Sequence, residues 1–432
     1  MDRDTIFAQA SGAGTAALAV LRLSGPAAGT ILRALAGTLP PPRRAVLRRL
    51  RDAGGTVLDH ALVLWLPGPA SYAGEDTAEL HLHGGRAVVA AVTEALLAAG
   101  ARPAEAGEFT RRAFLNGKLD LVEAEAVADL VAAETEAQRR QALRQLEGAL
   151  GDLYRGWSER LLVLMAREEA LIDFPDEDLP AEIAAEAAAE RDALAGAIAA
   201  HLADGRRGER LREGLVFAIA GPPNVGKSSL MNALAERDVA IVAATPGTTR
   251  DALEARVVLG GVPVTLVDTA GLRATADPIE AEGVRRARAR AGAADLVIAM
   301  ATAGDGNEPP EGSAGAAAIR VANKTDLCGA VPPGAIGLSL RTGAGMAELR
   351  SALDAAARRL TGQFGPPPLT RARHRAALME AAAALARAEV APLAELRAED
   401  LRQALRALGR ITGAVGVEDV LDRIFAAFCI GK

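Results

Sequence analysis

The stretch GPPNVGKS at residues 221–228 has the residue types and spacing to hold a polyphosphate. Its glycines let backbone N–H groups wrap phosphate oxygens. Lys227 can reach the β- and γ-phosphates, and Ser228 offers a hydroxyl to Mg²⁺. Asn224, Val225, Gly226 and Ser229 complete the loop, and the Asn224 side-chain carbonyl is a hard oxygen suited to a second cation. LVDTAG (266–271) follows, with Asp268 placed to act on the Mg²⁺ shell. Beyond Thr269 and Ala270, the Gly271 N–H can meet a γ-phosphate. In NKTD (323–326) a carboxylate at Asp326 can accept two hydrogen bonds, from guanine's ring N–H and its amino group, which adenine does not provide. Asn323 would orient the base, the Lys324 stem would lie along it, and Thr325 would join the turn. SLRTGAG (339–345) would close the base pocket through Ser339, Leu340 and Arg341. Four such stretches in this order indicate a guanine-nucleotide site.

Hydrolysis needs a group that orients water. Some GTPases place a Gln directly after Asp-x-x-Gly, whereas this chain has Leu272, which cannot hold a water. A switch-type loop runs from Ala243 and Ala244 through TPGTTRD (Thr245, Pro246, Gly247, Thr248, Thr249), and Thr249 would complete the Mg²⁺ shell.

These residues must sit at the ends of strands. LVFAIAG, VPVTLVD, DLVIAMA and AAIRVANK read as short apolar strands alternating with helical segments, the pattern of a doubly wound α/β sheet. Before them, AALAVLRLSG, HALVLWLPG and TAELHLHGG read as strands in a mixed α and β region. Apolar residues at three- and four-residue spacing predict helices from 119 to about 205 and again from 370. GQFGPPPL reads as a linker. The expected organisation is an N-terminal domain over 1–118, a helical domain split between 119–209 and 366–432, and a Ras-like G domain inserted at 210–365.

The chain has 432 residues and a net charge of −6, so its surface as a whole does not favour nucleic acid. GVRRARARAG (283–292) reads as a solvated helix face. With only Cys328 and Cys429, no disulfide framework is expected. No signal-peptide pattern or membrane-length apolar run is present, so a cytoplasmic location is expected. FCIGK (428–432) superficially matches a prenylation signal, but Gly431 and Lys432 argue against lipidation. Of 49 basic residues only Lys118, Lys227, Lys324 and Lys432 are lysines. Two belong to the nucleotide site, and a second anionic ligand would account for the others.

GPPNVGKSSL, GTTRD, DTAGLR, NKTD, GEFTRRAFLNGKLDLVEAEAVADL, LIDFP and ITGAVGVEDVLDRIFAAFCIGK together resemble the MnmE (TrmE) family of bacterial tRNA-modification GTPases over essentially the whole chain. The resemblance implies an α+β N-terminal domain over 1–118 that binds folate and dimerises, and a potassium-stimulated GTPase whose G domains pair across the homodimer. Potassium would be held by the Asn224 side chain, Thr248 and the backbone oxygens of Ala243 and Thr245. Glu280 would orient the water, and Lys227 would act on the phosphates. The family works with a flavoprotein, MnmG (GidA), on the wobble uridine of certain tRNAs. The one-carbon unit comes from methylene-tetrahydrofolate, here expected to touch Arg22, Glu79, Lys118 and Lys432. Two departures are Pro278 near Glu280 and the lack of an Arg in SGAGTAALAV. The tail is expected to fold back to the folate site, with Cys429 as a candidate nucleophile or acid–base group.

His81 and His83 share a strand face but lack a zinc spacing, so a structural role is expected. IDFPDED lacks the glycine and spacing of a calcium loop and reads as an acidic connection. Cys328 is expected to pack as a small residue. The competing class is a ribosome-assembly GTPase acting as a binding switch; only one set of G motifs is present and no GXXG module follows it.

Overall fold

Alternation of leucines with polar residues sets the first sheet. In Leu18–Ser24, Leu21 and Leu23 are buried while Arg22 faces the other way. The computed structural model describes residues 4–173, 181–237, 254–268, 292, 294–304, 317–362, 367–416 and 418–431. Two compact units result: Met1–Ala128 with Gln145–Arg191 and Ala383–Lys432, and Asp129–Arg144 with Asp192–Ala382.

The first unit begins with β1 (Ile6–Gln9), β2 (Leu18–Ser24), α1 (Ala28–Ala36), β3 (Val46–Arg51), β4 (Val57–Leu66), β5 (Thr77–His83), α2 (Arg86–Ala98), β6 (Arg102–Pro103) and α3 (Glu108–Leu115). The six strands lie in the order β3-β4-β5-β2-β1-β6. Every pairing is antiparallel except β1 with β6. Leu21, Leu23, Val63, Leu80 and Leu82 pack against Ile31, Leu32 and Leu35 of α1 and Val92 and Leu96 of α2. Each such burial is worth roughly 1.5–3 kcal/mol, enough in sum to fix the strand register. The opposite face is therefore left to Arg22, Glu79 and His81, in register across β2 and β5.

Helices follow: α4 (Leu121–Ala132), α5 (Glu136–Leu146), α6 (Ala149–Asp173), α7 (Ala181–Leu202) and α8 (Arg207–Glu213). The acidic connection predicted after α6 lies outside the described residues. The second unit's sheet comprises β7 (Leu215–Ala220), β8 (Glu254–Leu259), β9 (Val262–Asp268), β10 (Leu296–Thr302), β11 (Ala317–Asn323) and β12 (Ala335–Gly337), with helices α9 (Lys227–Arg237) and α10 (Met346–Thr361). Its order is β12-β11-β10-β7-β9-β8. All neighbours are parallel except β8 with β9. The strands are near-continuous apolar runs because the sheet is covered on its faces, and Phe217, Ile219, Leu266, Ile298 and Val321 form its core.

Then come α11 (Ala372–Val390), α12 (Ala394–Thr412) and α13 (Glu418–Phe425). In the first unit α12 packs along α6, and the Arg397–Glu168 pair at 3.0 Å joins them. In the second unit Arg375 of α11 binds Asp204 at 2.8 Å and Glu209 at 2.9 Å. Among the described residues no helix is long and apolar enough to cross a membrane.

Candidate functional site

In the second unit, β7 runs between two parallel neighbours and ends at Ala220, so the chain must turn there before α9 starts at Lys227. The turn needs unusual backbone. Asn224 adopts φ of 62° and Gly226 of 106°. A Cβ built at Gly226 would lie 2.7 Å from Asn323 Nδ2, so glycine is required for both conformation and space. Lys227, 5% exposed, donates through Nζ to the carbonyls of Gly221 (2.8 Å) and Pro222 (2.7 Å), which holds its ammonium inside the loop. Ser228 Oγ donates to Asp268 Oδ2 at 2.6 Å, bringing the first turn of α9 to the end of β9.

The base-side residues sit at the end of β11 and interlock with the phosphate loop. Asn323 Nδ2 donates to the Val225 carbonyl at 2.7 Å, and Lys324 Nζ to the Asn224 carbonyl at 2.9 Å. Lys324 is itself left-handed, with φ of 67°. Thr325 N–H bonds the Leu338 carbonyl at 3.1 Å, and Leu340 N–H reaches Asn323 Oδ1 at 3.4 Å. Ser339 Oγ donates to Asp326 Oδ1 at 2.7 Å, while Arg341 Nε lies 2.9 Å from Asp326 Oδ2. The Ser339 bond first, and then the Arg341 charge, hold the Asp326 carboxyl below the usual aspartate range. Arg341, expected in the base pocket, stands there as the ion-pair partner of Asp326. Ser229 continues α9 as an exposed residue.

Residues expected from the switch loop (243–249), with Thr269, Ala270, Gly271, Leu272, Pro278, Glu280 and the Arg-rich 283–291, lie outside the described residues. Cys328, expected to pack, is instead exposed, with its sulfur close to Gly304.

In the first unit, Arg22 and Glu79 are opposite one another on β2 and β5. Arg22 donates through Nε (3.0 Å) and Nη2 (2.9 Å) to one carboxylate oxygen, Glu79 Oε1, and the pair is 18% and 19% exposed. Its guanidinium lies 5.6 Å from the Tyr72 ring centre and 5.7 Å from that of Phe109. Tyr72 shares a 2.8 Å hydrogen bond with Thr110, and burial raises its phenol pKa despite that bond and the nearby Arg22 charge. Neither ring was singled out from sequence. In a chain with 3% aromatics, their rarity, and for Phe109 the neighbouring Arg111 and Arg112, were the available signal. Lys118 follows α3 and is exposed, with its stem alongside Gly74 in the loop that carries Tyr72. His81 Nε2 stands 3.5 Å from Glu79 Oε2, and His83 Nδ1 stands 2.7 Å from Asp59 Oδ1. Among the described residues no three His, Cys, Asp or Glu gather as for a metal.

The segment after α13 docks on this unit. Phe425 and Phe428 pack with Leu121, Ala124 and Leu421, their rings 5.3 Å apart. Ile430 bridges Ala106 antiparallel. A Cβ at Gly431 would stand 2.4 Å from the Gln9 carbonyl, so the segment lies tight against β1. Cys429, between these contacts, is exposed. Lys432 is outside the described residues.

Residues 121–429 match the family model described as MnmE helical domain, and residues 5–118 match that of GTP-binding protein TrmE N-terminus. The chain belongs to the MnmE family. It is 61% identical to a tRNA modification GTPase MnmE of Gluconacetobacter diazotrophicus, over 99% of this chain and 98% of that protein. It is 56% identical to that of Granulibacter bethesdensis, with both chains covered fully. Among solved structures, the FeoB G-domain from Methanococcus jannaschii aligns with 33% of this chain and 98% of its own at 25% identity, with a TM-score of 0.25. The MnmE assignment rests on the family models and the two relatives.

Proposed function

We propose that this MnmE-family chain is a potassium-stimulated GTP hydrolase. With a flavoprotein partner of the MnmG (GidA) type, it modifies carbon five of the wobble uridine of certain tRNAs in the cytoplasm. The observation that carries the nucleotide half is the interlock of the two loops. Asn323 and Lys324 bond the carbonyls of Val225 and Asn224, so base and phosphate recognition share one rigid frame. The Asp326 carboxylate is fixed by Ser339 and retains lone pairs for the two donors of guanine. Lys227 can exchange two loop carbonyls for phosphate oxygens. Ser228 and Asp268 form a pair of hard oxygens that fits Mg²⁺, with Thr249 as a further ligand. Mg²⁺, when bound, neutralises charge developing on the β- and γ-phosphate oxygens. Asn224, Thr248 and the backbone of Ala243 and Thr245 would hold K⁺, and Glu280 would orient the attacking water.

The modification half rests on family membership and on the N-terminal sheet face. Arg22, Glu79, Lys118 and Lys432 would bind a methylene-tetrahydrofolate, which supplies the one-carbon unit. Arg22 would attract its carboxylates, and the Tyr72 and Phe109 rings would hold the guanidinium in place. Cys429, exposed on the docked segment, would act as nucleophile or acid–base group. The working unit is a homodimer.

The test takes Cys429→Ser and a chain lacking Ile430 to Lys432. Both are expected to lose the modified wobble nucleoside by mass spectrometry of tRNA while hydrolysing GTP faster in K⁺ than in Na⁺. Equal turnover in the two salts by the unchanged chain would defeat the potassium reading. Normal tRNA modification by Cys429→Ser would defeat the role given to the thiol.

A further inference from the structure

Strand β3 lies at the outer edge of the N-terminal sheet, with β4 as its neighbour. Within residues 43–51 it and its approach carry five arginines, Arg43, Arg44, Arg48, Arg49 and Arg51, and no acid. Four of these residues are exposed and Arg48 is half-buried. Pleating sends them to both faces: Arg49 stands beside Leu47 on the face away from α1 and α2, whereas Arg48 shares the side of buried Leu50. The guanidiniums thus wrap the strand edge.

None of the five forms an ion pair among the described residues. Arg43 bonds the Ala70 carbonyl, Arg48 the Leu47 carbonyl and Arg51 the Gly55 carbonyl, all backbone acceptors that leave the charge uncompensated. Elsewhere in the same unit Arg22, Arg102, Arg112, Arg155 and Arg160 each face a carboxylate. The five contribute +5 to a chain whose total is −6, so the remaining residues sum to −11. Charged side chains, lysine above all, protect sheet edges from pairing, but that role asks for no cluster of arginines without a counter-charge. Five adjacent cations without a counter-charge repel one another, and a polyanion laid along the edge relieves that repulsion.

We propose that the β3 edge is a docking surface for the phosphate backbone of the tRNA substrate; this rests on the RNA-substrate reading above. Arginine forks match phosphate oxygens bidentately, and contacts of this kind position a nucleic acid without reading its bases. The surface sets where the RNA lies, and base selection belongs elsewhere. An otherwise acidic surface repels the RNA and favours this one approach.

The experiment measures binding of an unmodified tRNA transcript to the full chain by fluorescence anisotropy between 50 and 200 mM salt. The comparison is with R44Q/R49Q/R51Q and with R44K/R49K/R51K. Arg43 is left unchanged because its bond to the Ala70 carbonyl ties two distant segments, whereas that of Arg51 to Gly55 stays within one turn. Each phosphate that is no longer neutralised makes the slope of log affinity on log salt shallower by about 0.9, so the glutamine variant is expected to lose roughly 2 to 3 in slope. The lysine variant keeps the charge and is expected to keep the slope. An unchanged slope in the glutamine variant, or no tRNA binding by the unchanged chain, overturns the proposal. So does loss of binding to phosphatidylserine vesicles with tRNA binding intact, which would assign the surface to a membrane. GTP turnover measured alongside tests the hydrolase reading separately. If the tRNA slope responds while GTP is not hydrolysed, that reading fails and the docking surface stands.

Discussion

The lysines of the nucleotide loops and the charged side chains of the N-terminal sheet face are used in opposite ways. Around the phosphate loop, Lys227 donates to backbone carbonyls of its own loop and Lys324 to one of the neighbouring loop. Such bonds are cheaply exchanged for a ligand's oxygens, since a carbonyl released to solvent finds water. On the sheet face and along α3, charges bond each other: Arg22 with Glu79, Arg102 and Arg112 with Glu108, Arg112 with Glu75. There, removing one partner strands the other in a partly dry place. Substitutions in the first region should therefore change recognition more than stability, and in the second the reverse.

The largest effect expected is at Asp326. Asp326→Asn replaces an acceptor-only group by one that donates, which suits xanthine and mismatches guanine. A site that rejects an unpaired polar partner discriminates by about 10⁴, so GTP affinity should fall by orders of magnitude and XTP affinity should rise. Thermal stability should hardly move. Retained guanine preference would mean that Asp326 does not read the base. Next is Gly226→Ala, which drives a methyl towards Asn323 and forces a left-handed alanine. Expected are a loss of about 1–3 kcal/mol in stability and a much weaker hold on both base and phosphates. Isothermal titration with GDP measures the second part; an unaltered affinity would break the claim that the two loops share one frame.

The two regions also differed in how far the chain's letters disclosed them. The phosphate loop was readable because its chemistry depends on backbone geometry within eight consecutive residues, and only glycines, a lysine and a serine or threonine at fixed spacing satisfy it. The apolar runs that became β7, β9, β10 and β11 were equally plain, since a sheet covered on its faces permits little else. The short strand β6, and β3 with three arginines of its own, gave no such signal; β3 is a strand because β4 offers it a partner, a long-range fact. On the sheet face, Arg22 and Glu79 are 57 residues apart and meet only through antiparallel register. Resemblance pointed to them, but nothing local tied them to Tyr72 or Phe109. The Arg341 side chain on Asp326 is likewise a product of tertiary geometry.

At Glu108 the expectation turns to stability. It is 9% exposed and receives bonds from Arg102, Arg112 and the Glu105 N–H. Burial alone would raise its pKa, but those donors outweigh it and the folded value is lowered. A carboxylate with a depressed pKa contributes stability above its unfolded value, about 4.3, and loses it as pH falls through the folded value. Glu108→Gln should cost about 2 kcal/mol at neutral pH, between the exposed and fully buried cases, and the deficit should shrink on acidification below pH about 4. Urea denaturation at pH 7 and pH 3 checks this. A deficit that is the same at both would show that shape, and not charge, fixes α3.

The smallest effect is expected at Tyr72, where the two regions' rules can be set side by side in one residue. Its ring supports Arg22 and its hydroxyl meets Thr110, which is fully buried. Tyr72→Phe keeps the ring and removes one hydrogen bond, so the loss should be about 1 kcal/mol. Because burial raises the phenol's folded pKa, its contribution is complete below the unfolded value of about 10 and is lost as pH rises through the folded value. The Phe variant should therefore lack part of the alkaline fall in stability that the unchanged chain shows. A nucleotide-site change of similar size, Ser339→Ala, frees Asp326 Oδ1 from its hydroxyl donor and should weaken GTP binding by about tenfold with stability intact. If Ser339→Ala instead destabilises the chain and spares binding while Tyr72→Phe does neither, then charged groups in the two regions are not divided between recognition and stability in the way the bond partners imply.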